Sequence, residues 1–184
     1  MTYFDKKSFS FLRALARNNS REWFQAHKDE YQAQLRDPFL RLIADLQPDL
    51  AAVSAQFRAD PKPVGGSLFR IHRDTRFSND KTPYKTHLGA WFFHARRREV
   101  EAPGFYLHVA PGQSFVGAGL WHPQPDTQRR VRQFIHDNPS GWKAATRAPA
   151  FRKRFDMDGD TLVRAPRGFP FTAPPPRPPC TASG

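Results

Sequence analysis

GFYLHVAPGQSFVGAGLW, residues 104–121, is the stretch whose reading decides the fold. Pro111-Gly112 marks a turn at its middle, and apolar residues alternate on either side, the pattern of a β-hairpin. Pairing Val109 with Ser114 sets His108 opposite Phe115, Leu107 opposite Val116, Tyr106 opposite Gly117 and Phe105 opposite Ala118. One face then collects Phe105, Leu107, Val109, Val116, Ala118 and Leu120. The other collects Tyr106, His108, Phe115, Gly117, Gly119 and Trp121. Both strands sort the same way, whereas a one-residue slip would turn one of them inside out. The second face carries rings and glycines where Lys, Glu and Thr would be ordinary. Gly117 and Gly119 weaken a strand, which is tolerated where a ligand or another backbone comes close. Either a helix packs there or a site lies there.

Working outward, LGAWFFH (88–94) reads as a second strand, apolar almost throughout. SLFRIH (67–72) alternates Phe69 and Ile71 against Arg70 and His72 and predicts a half-buried strand. Residues 5–57 read as helical. Asp5 caps a helix with Phe9, Leu12, Leu15 and Ala16 at helical spacing, and Asn18-Asn19 ends it. Asn19 with Glu22 is a capping-box pattern for the next helix, which strings Trp23, His27 and Tyr31 along one stripe. Pro38 suits the first turn of a third, with Phe39, Leu42, Ile43, Leu46, Leu50, Val53 and Phe57 as its core stripe; Pro48 should kink or split it.

Past the hairpin, Asp126 is expected to cap a helix carrying Val131, Phe134 and Ile135 and ending at Asn138-Pro139. GWKAATRA forms another short helix, and Gly159 marks a turn before Leu162-Val163. The whole predicts an α+β fold: an antiparallel β-meander of about four or five strands, with N-terminal and C-terminal helices packed mainly on one face. Residues 1–171 are expected to form a single domain, and the Pro-rich 172–184 a disordered or aberrant tail. Strands so close together leave no room for the helical crossovers of a parallel sheet.

Composition narrows the function. The chain has 184 residues and carries 29 Lys+Arg against 17 Asp+Glu, a net charge of +12 that attracts phosphates, nucleic acid or acidic surfaces. Between Arg129 and Arg154 eight cations meet one carboxylate, Asp137, and Arg96-Arg97-Arg98 adds a compact triplet. The lone Cys180 excludes an internal disulfide and a zinc site of several thiolates. There is no 18-residue apolar run, hence no expected membrane span. MTYFDKKSFSFL lacks a long apolar stretch and a small-residue cleavage site, so a cytoplasmic address is expected.

The site candidate is RDTRFSNDKTPYKTH (73–87). Ser78-Asn79-Asp80 has turn chemistry, Thr82-Pro83 holds the chain extended, and functional residues favour loops anchored on strands. Arg70, Arg73, Arg76, Ser78, Asp80, Lys81 and Lys85, with Tyr106 and Trp121 from the hairpin, are the candidate ligand-binding residues. Arginine forks suit carboxylate or phosphate oxygens. Asp74 is placed to orient Arg73 or Arg76. His108, Asp74 and Tyr84 are the candidates for proton transfer. The competing explanation is an internal knot of salt bridges that shapes a connection between strands.

These motifs carry a resemblance. FLRALARNNSREWF, SLFRIHRDTRFSNDKTPYKTHLG, FYLHVAPGQSFVGAGLW and LVRAPRGF resemble, in order and spacing, the bacterial and fungal family known as domain of unknown function 2461. The resemblance covers roughly residues 4–171. Its central motif, R-D-x-R-F-S-x-D-K-T-P-Y-K, falls on Arg73–Lys85. Around it match Asn18, Asn19, Arg21, Trp23, Phe24, Phe69 and Arg70, then Tyr106, His108, Gly119, Trp121 and Pro123. The resemblance implies a shared fold unit and no particular activity. Family members continue past the P-x-G-F element into further helix, whereas this chain turns to proline, which implies a frameshift or truncation.

Three functions follow. A basic pocket beside the sheet binds a small anionic ligand bearing phosphate or carboxylate. Alternatively, the basic surface binds nucleic acid or an acidic partner, although no nucleic-acid motif is present. A metal-dependent hydrolase would draw on His72-x-Asp74 with His108 or His122, at spacings that match no ligand motif, so no metal is assigned. Cofactor and oligomeric state are left open, and with no G-x-S-x-G elbow a serine triad is weaker still.

Overall fold

Asp5 starts the first helix as its position predicts. In the computed structural model, which describes residues 2–157 together with 166, 168 and 169, the Asp5 carboxylate accepts the backbone N–H groups of Lys7 (2.8 Å) and Ser8 (3.0 Å) ahead of α1 (Lys6–Arg17). Ser8 returns the bond by accepting the Asp5 N–H at 3.2 Å, closing a capping box.

The start of α2 (Arg21–Ala26) differs from the expected one. Its cap is Ser20, which accepts the Trp23 N–H at 3.2 Å. Asn19 has a longer-range task instead. Its amide accepts the Tyr84 N–H (3.0 Å) and donates to the Tyr84 carbonyl (2.9 Å). A carboxamide has the donor and acceptor of a peptide unit, so it can stand in for a neighbouring strand.

Then come α3 (Lys28–Tyr31), a π-turn at Gln32–Arg36 and α4 (Asp37–Val53). Pro38 sits in the first turn of α4 as expected. Pro48 lies inside α4 without splitting it; the last turn still closes by Ser54 N–H to the Leu50 carbonyl at 3.0 Å. The expected stripe stops short. Val53 is exposed, and Phe57 belongs to a strand, its ring edge-on to Phe105 at 4.9 Å.

The sheet is antiparallel throughout, in the order β1 (Phe57–Arg58), β2 (Leu88–His94), β3 (Gly104–Val109), β4 (Phe115–Gly119). The β3–β4 register is the expected one, with His108 opposite Phe115 and Phe105 opposite Ala118. The architecture is therefore α+β with a four-stranded meander.

SLFRIH departs from its reading. It runs extended beside β2 but makes isolated bridges, Leu68 to Ala90 and His72 to Tyr84, rather than a ladder. The cause is a change of partner. Phe69 N–H reaches the Gly89 carbonyl on β2 (2.9 Å), whereas the Ile71 carbonyl accepts from Lys85 (2.8 Å) outside it. The alternation slips at that change, so Leu68 and Ile71 turn inward while Phe69 is 44% exposed.

The core lies between the N-terminal helices and one face of this sheet. Phe11, Leu12, Leu15, Phe24, Leu35, Phe39 and Ile43 from the helices meet Leu88, Ala90, Phe92 and Val109, with Phe105 and Leu107 packed against them. The helix stripes thus supply core, burying apolar area at about 25 cal/mol per Å². At Gly117 and Gly119 the backbone half of the expectation fails: a Cβ at either would meet nothing within 4 Å, so no backbone presses on them. They lie on an outer strand in open space.

The chain parts into two compact units, Met1–Pro123 and Gln124–Gly184. The second contains α5 (Pro125–Asp137), α6 (Pro139–Arg147) and α7 (Pro149–Arg152), each opening on a proline, whose missing N–H costs nothing in a first turn. Pro125 takes the position that Asp126 was expected to introduce; Asp126 falls within the first turn, 3.9 Å from Arg129. The Gly159 turn, Leu162-Val163 and the 172–184 tail lie outside the described residues. Among the described residues no helix is long and apolar enough to cross a membrane.

Candidate functional site

The loop between Ile71 and Leu88 is tied down by its own polar groups. Arg73 Nη1 bonds both Asp80 and Thr82, and the Arg73 N–H donates to the Pro83 carbonyl at 2.8 Å. Asp80 also accepts the Thr82 N–H at 2.9 Å. Arg76 forks onto Asp74, Nε to Oδ1 at 3.0 Å and Nη2 to Oδ2 at 2.7 Å. These bonds set the carboxylates' acidity. Hydrogen bonds from Arg76 hold Asp74 down at about 2, and Arg73 first, then Thr82, do the same for Asp80. Much of the loop is therefore the salt-bridge knot. Asp74 orients Arg76, and Arg73 turns to Asp80.

A cleft opens beside the knot all the same. Its volume is about 390 Å³, and Asn19, Arg73, Asp80, Thr82, Tyr84, Lys85 and His87 are among its lining residues. Lys85 Nζ donates to the Arg70 carbonyl at 3.1 Å and stands 5.4 Å from the Phe69 ring centroid. Burial, and then the Arg70 charge, lower its pKa. His87 is half-buried, its ring 4.3 Å from that of His108, whose Nδ1 meets the Tyr106 hydroxyl at 3.0 Å. Burial, followed by the charges of His108, Lys85 and Arg73, pushes His87 down to about 4.

Arg73, Asp80 and Lys85 thus reach one cleft, with Tyr106 and His108 joined to it through His87. The remaining candidates sit elsewhere. Lys81 is exposed and donates to the Thr75 carbonyl at 2.9 Å, Arg76 is turned to Asp74 on the exterior, and Ser78 caps a turn onto Thr75. Arg70 is exposed on the outer side of the same segment. Tyr84 is the exception: it lines the cleft, although it is 2% exposed and stacked on Phe24 at 4.1 Å, a core position. Trp121 is 80% exposed, edge-on to His122 at 4.8 Å, away from the cleft lining. Among the described residues no three His, Cys, Asp or Glu side chains gather to hold an ion.

His87, Asn19 and Thr82 were missing from the candidates. The signal for His87 was available: continuing the β2 alternation backwards puts His87 with Gly89 and Trp91, opposite in sense to Leu88, Ala90 and Phe92. A larger hollow of about 450 Å³, lined by Lys6, Phe9, Arg13 and the Ala110–Gly112 turn, is more open and brings together no histidine or carboxylate. The smaller cleft is the one that gathers cations, a carboxylate and an imidazole.

The profile of one family, described as Conserved hypothetical protein (DUF2461), matches residues 7–176. The chain belongs to that family. For this DUF2461 member, comparison with curated proteins and with solved structures found no match in either. The R-D-x-R-F-S-x-D-K-T-P-Y-K run of the DUF2461 sequence is thus seen here as a tied loop whose Arg73 and Lys85 line a cleft.

Proposed function

We propose that the cleft binds a small anion, a phosphate or carboxylate group, between Arg73, Lys85 and His87. The observation that carries this is the lining of the cleft: Arg73 and Lys85 stand in its wall beside His87, against the single carboxylate of Asp80, which Arg73 already bonds. Two cations against one carboxylate leave the cleft net positive, which attracts an anion. Arg73 commits Nη1 to Asp80 and Thr82, a bond that fixes the fork's direction, and its other N–H groups are the donors a ligand would use. A cytoplasmic address accompanies this reading.

Calorimetric titration with inorganic phosphate, sulfate and a small dicarboxylate tests it. Lys85→Gln should weaken binding about tenfold or more, the scale of a hydrogen bond to a charged group. Wild-type protein that takes up none of the three anions would refute the proposal.

The second reading uses the basic run of the second unit. Eight cations against Asp137 between Arg129 and Arg154, with Phe134 and Trp142 exposed, suit a nucleic-acid backbone and its bases. Such binding weakens steeply with salt as counterions are released, and a flat salt response excludes it.

A further inference from the structure

Beside the cleft, the outer face of the sheet carries an aromatic surface that anion capture alone does not use. Tyr106 packs against Gly89: a Cβ there would come within 2.9 Å of the Tyr106 hydroxyl and 3.1 Å of its ring and of the Phe69 ring. Glycine is what lets the ring settle against the backbone. Phe69 adjoins Tyr106 with centroids 6.0 Å apart and planes 32° from parallel. Rings that cover one another in this protein sit much closer, as Phe24 and Tyr84 do at 4.1 Å. Tyr106 and Phe69 therefore lie side by side and form a floor. Phe115 rises from that floor, inclined 62° to Tyr106 at 5.8 Å, and backs onto His108 at 4.8 Å and 13°.

The floor and the cleft are continuous. Lys85 belongs to the cleft and stands over Phe69; His87 belongs to the cleft and faces His108, which holds the Tyr106 hydroxyl. Phe69 and Phe115 are 44% and 53% exposed, large apolar area for a surface.

Resting on the anion site just proposed, we propose that the ligand is a planar aromatic ring joined to an anionic group. The anion enters between Arg73, Lys85 and His87, and the ring lies on Tyr106 and Phe69 against the Phe115 wall. A nucleoside monophosphate and an aryl phosphate share this chemistry. Stacking tolerates any flat π-system, so the surface selects for a ring and leaves its identity to polar groups at the rim.

The test compares four probes on the full chain by calorimetry: inorganic phosphate, ribose 5-phosphate, phenyl phosphate and adenosine 5′-monophosphate. The ring-bearing probes should bind roughly 5- to 150-fold tighter than ribose 5-phosphate, the range for one stacked base. Phe69→Leu with Tyr106→Leu should remove that gap between ringed and ringless probes. Tighter binding of adenosine monophosphate than of phenyl phosphate assigns a nucleotide, and the reverse assigns an aryl anion. Equal affinity for ringed and ringless phosphates overturns the aromatic part while the anion site stands. A gap that survives the double substitution also overturns it, because the ring then lies elsewhere. Failure of all four probes overturns the anion site itself.

Discussion

Asn19 shows how one side chain can do the work of a strand. Tyr84 follows Pro83, which has no N–H, and its own N–H and carbonyl are both taken by the Asn19 amide. That bond ties the loop bearing Lys85 and His87 to the turn between α1 and α2, 65 residues away. Asn19→Ala should destabilise the protein by about 2 kcal/mol, since two half-buried polar groups lose their partner. Asn19→Asp should not restore it, because a carboxylate cannot donate to the Tyr84 carbonyl. Urea midpoints of the three proteins give the answer, and an unchanged midpoint in Asn19→Ala would mean water replaces the amide at no cost. The Tyr84 ring belongs to the same locus. Stacked on Phe24 and 2% exposed, it should tolerate Tyr84→Phe with little change but lose about 3–5 kcal/mol as Tyr84→Ala.

At the scale of elements, the glycines of the hairpin divide into two kinds that spacing cannot tell apart. Gly104 on β3 lies under Trp91: an added Cβ would come within 2.5 Å of the indole and 2.6 Å of the Phe92 carbonyl. Gly104→Ala should therefore destabilise by about 1–3 kcal/mol through overpacking. Gly117 on β4 meets nothing within 4 Å, so Gly117→Val should be neutral or stabilise by up to about 1 kcal/mol, the span of strand propensity. Thermal denaturation of both variants checks the pair; equal losses would show that β4 is covered. The hairpin register was legible in the sequence because Phe105, Leu107 and Val109 must all face the core together. SLFRIH was not, because its backbone changes partner between Phe69 and Ile71, and alternation encodes one partner at a time. Asn19 was misread for a similar reason: a capping pattern is local, and its real partner lies far along the chain.

For the whole molecule, what was legible of the candidate site was its address, not its membership. The 73–87 stretch drew attention through charge density, and the cleft does lie there, yet the same density built the knot that removed Arg76 and Asp74 from it. Which cation is held by a carboxylate depends on distances that residue types do not contain. Trp121 was grouped by alternation, but the strand ends at Gly119 and the indole turns outward. The charge that gathers around His87 should also show in the stability of the entire protein. His87 has its pKa pushed from 6.5 to about 4 by burial first, then His108, Lys85 and Arg73. A group whose folded pKa is depressed stabilises fully above its unfolded value, and that contribution is lost as pH falls through the folded one. Wild-type stability should thus decline between pH 6.5 and about 4, where the unfolded chain takes a proton that the folded cleft refuses. Asp74 and Asp80 follow with a smaller loss from 3.8 down to about 2, because their exposure lets solvent screen the ion pairs. Urea midpoints across this range should show the first decline flattened in His87→Gln and the second unchanged. Sulfate, a dianion throughout, should flatten the first decline in wild type as well, since a bound anion restores the proton affinity that the neighbouring cations remove. Identical curves for wild type and His87→Gln would place the acid sensitivity elsewhere and show that the folded cleft does not hold His87 neutral.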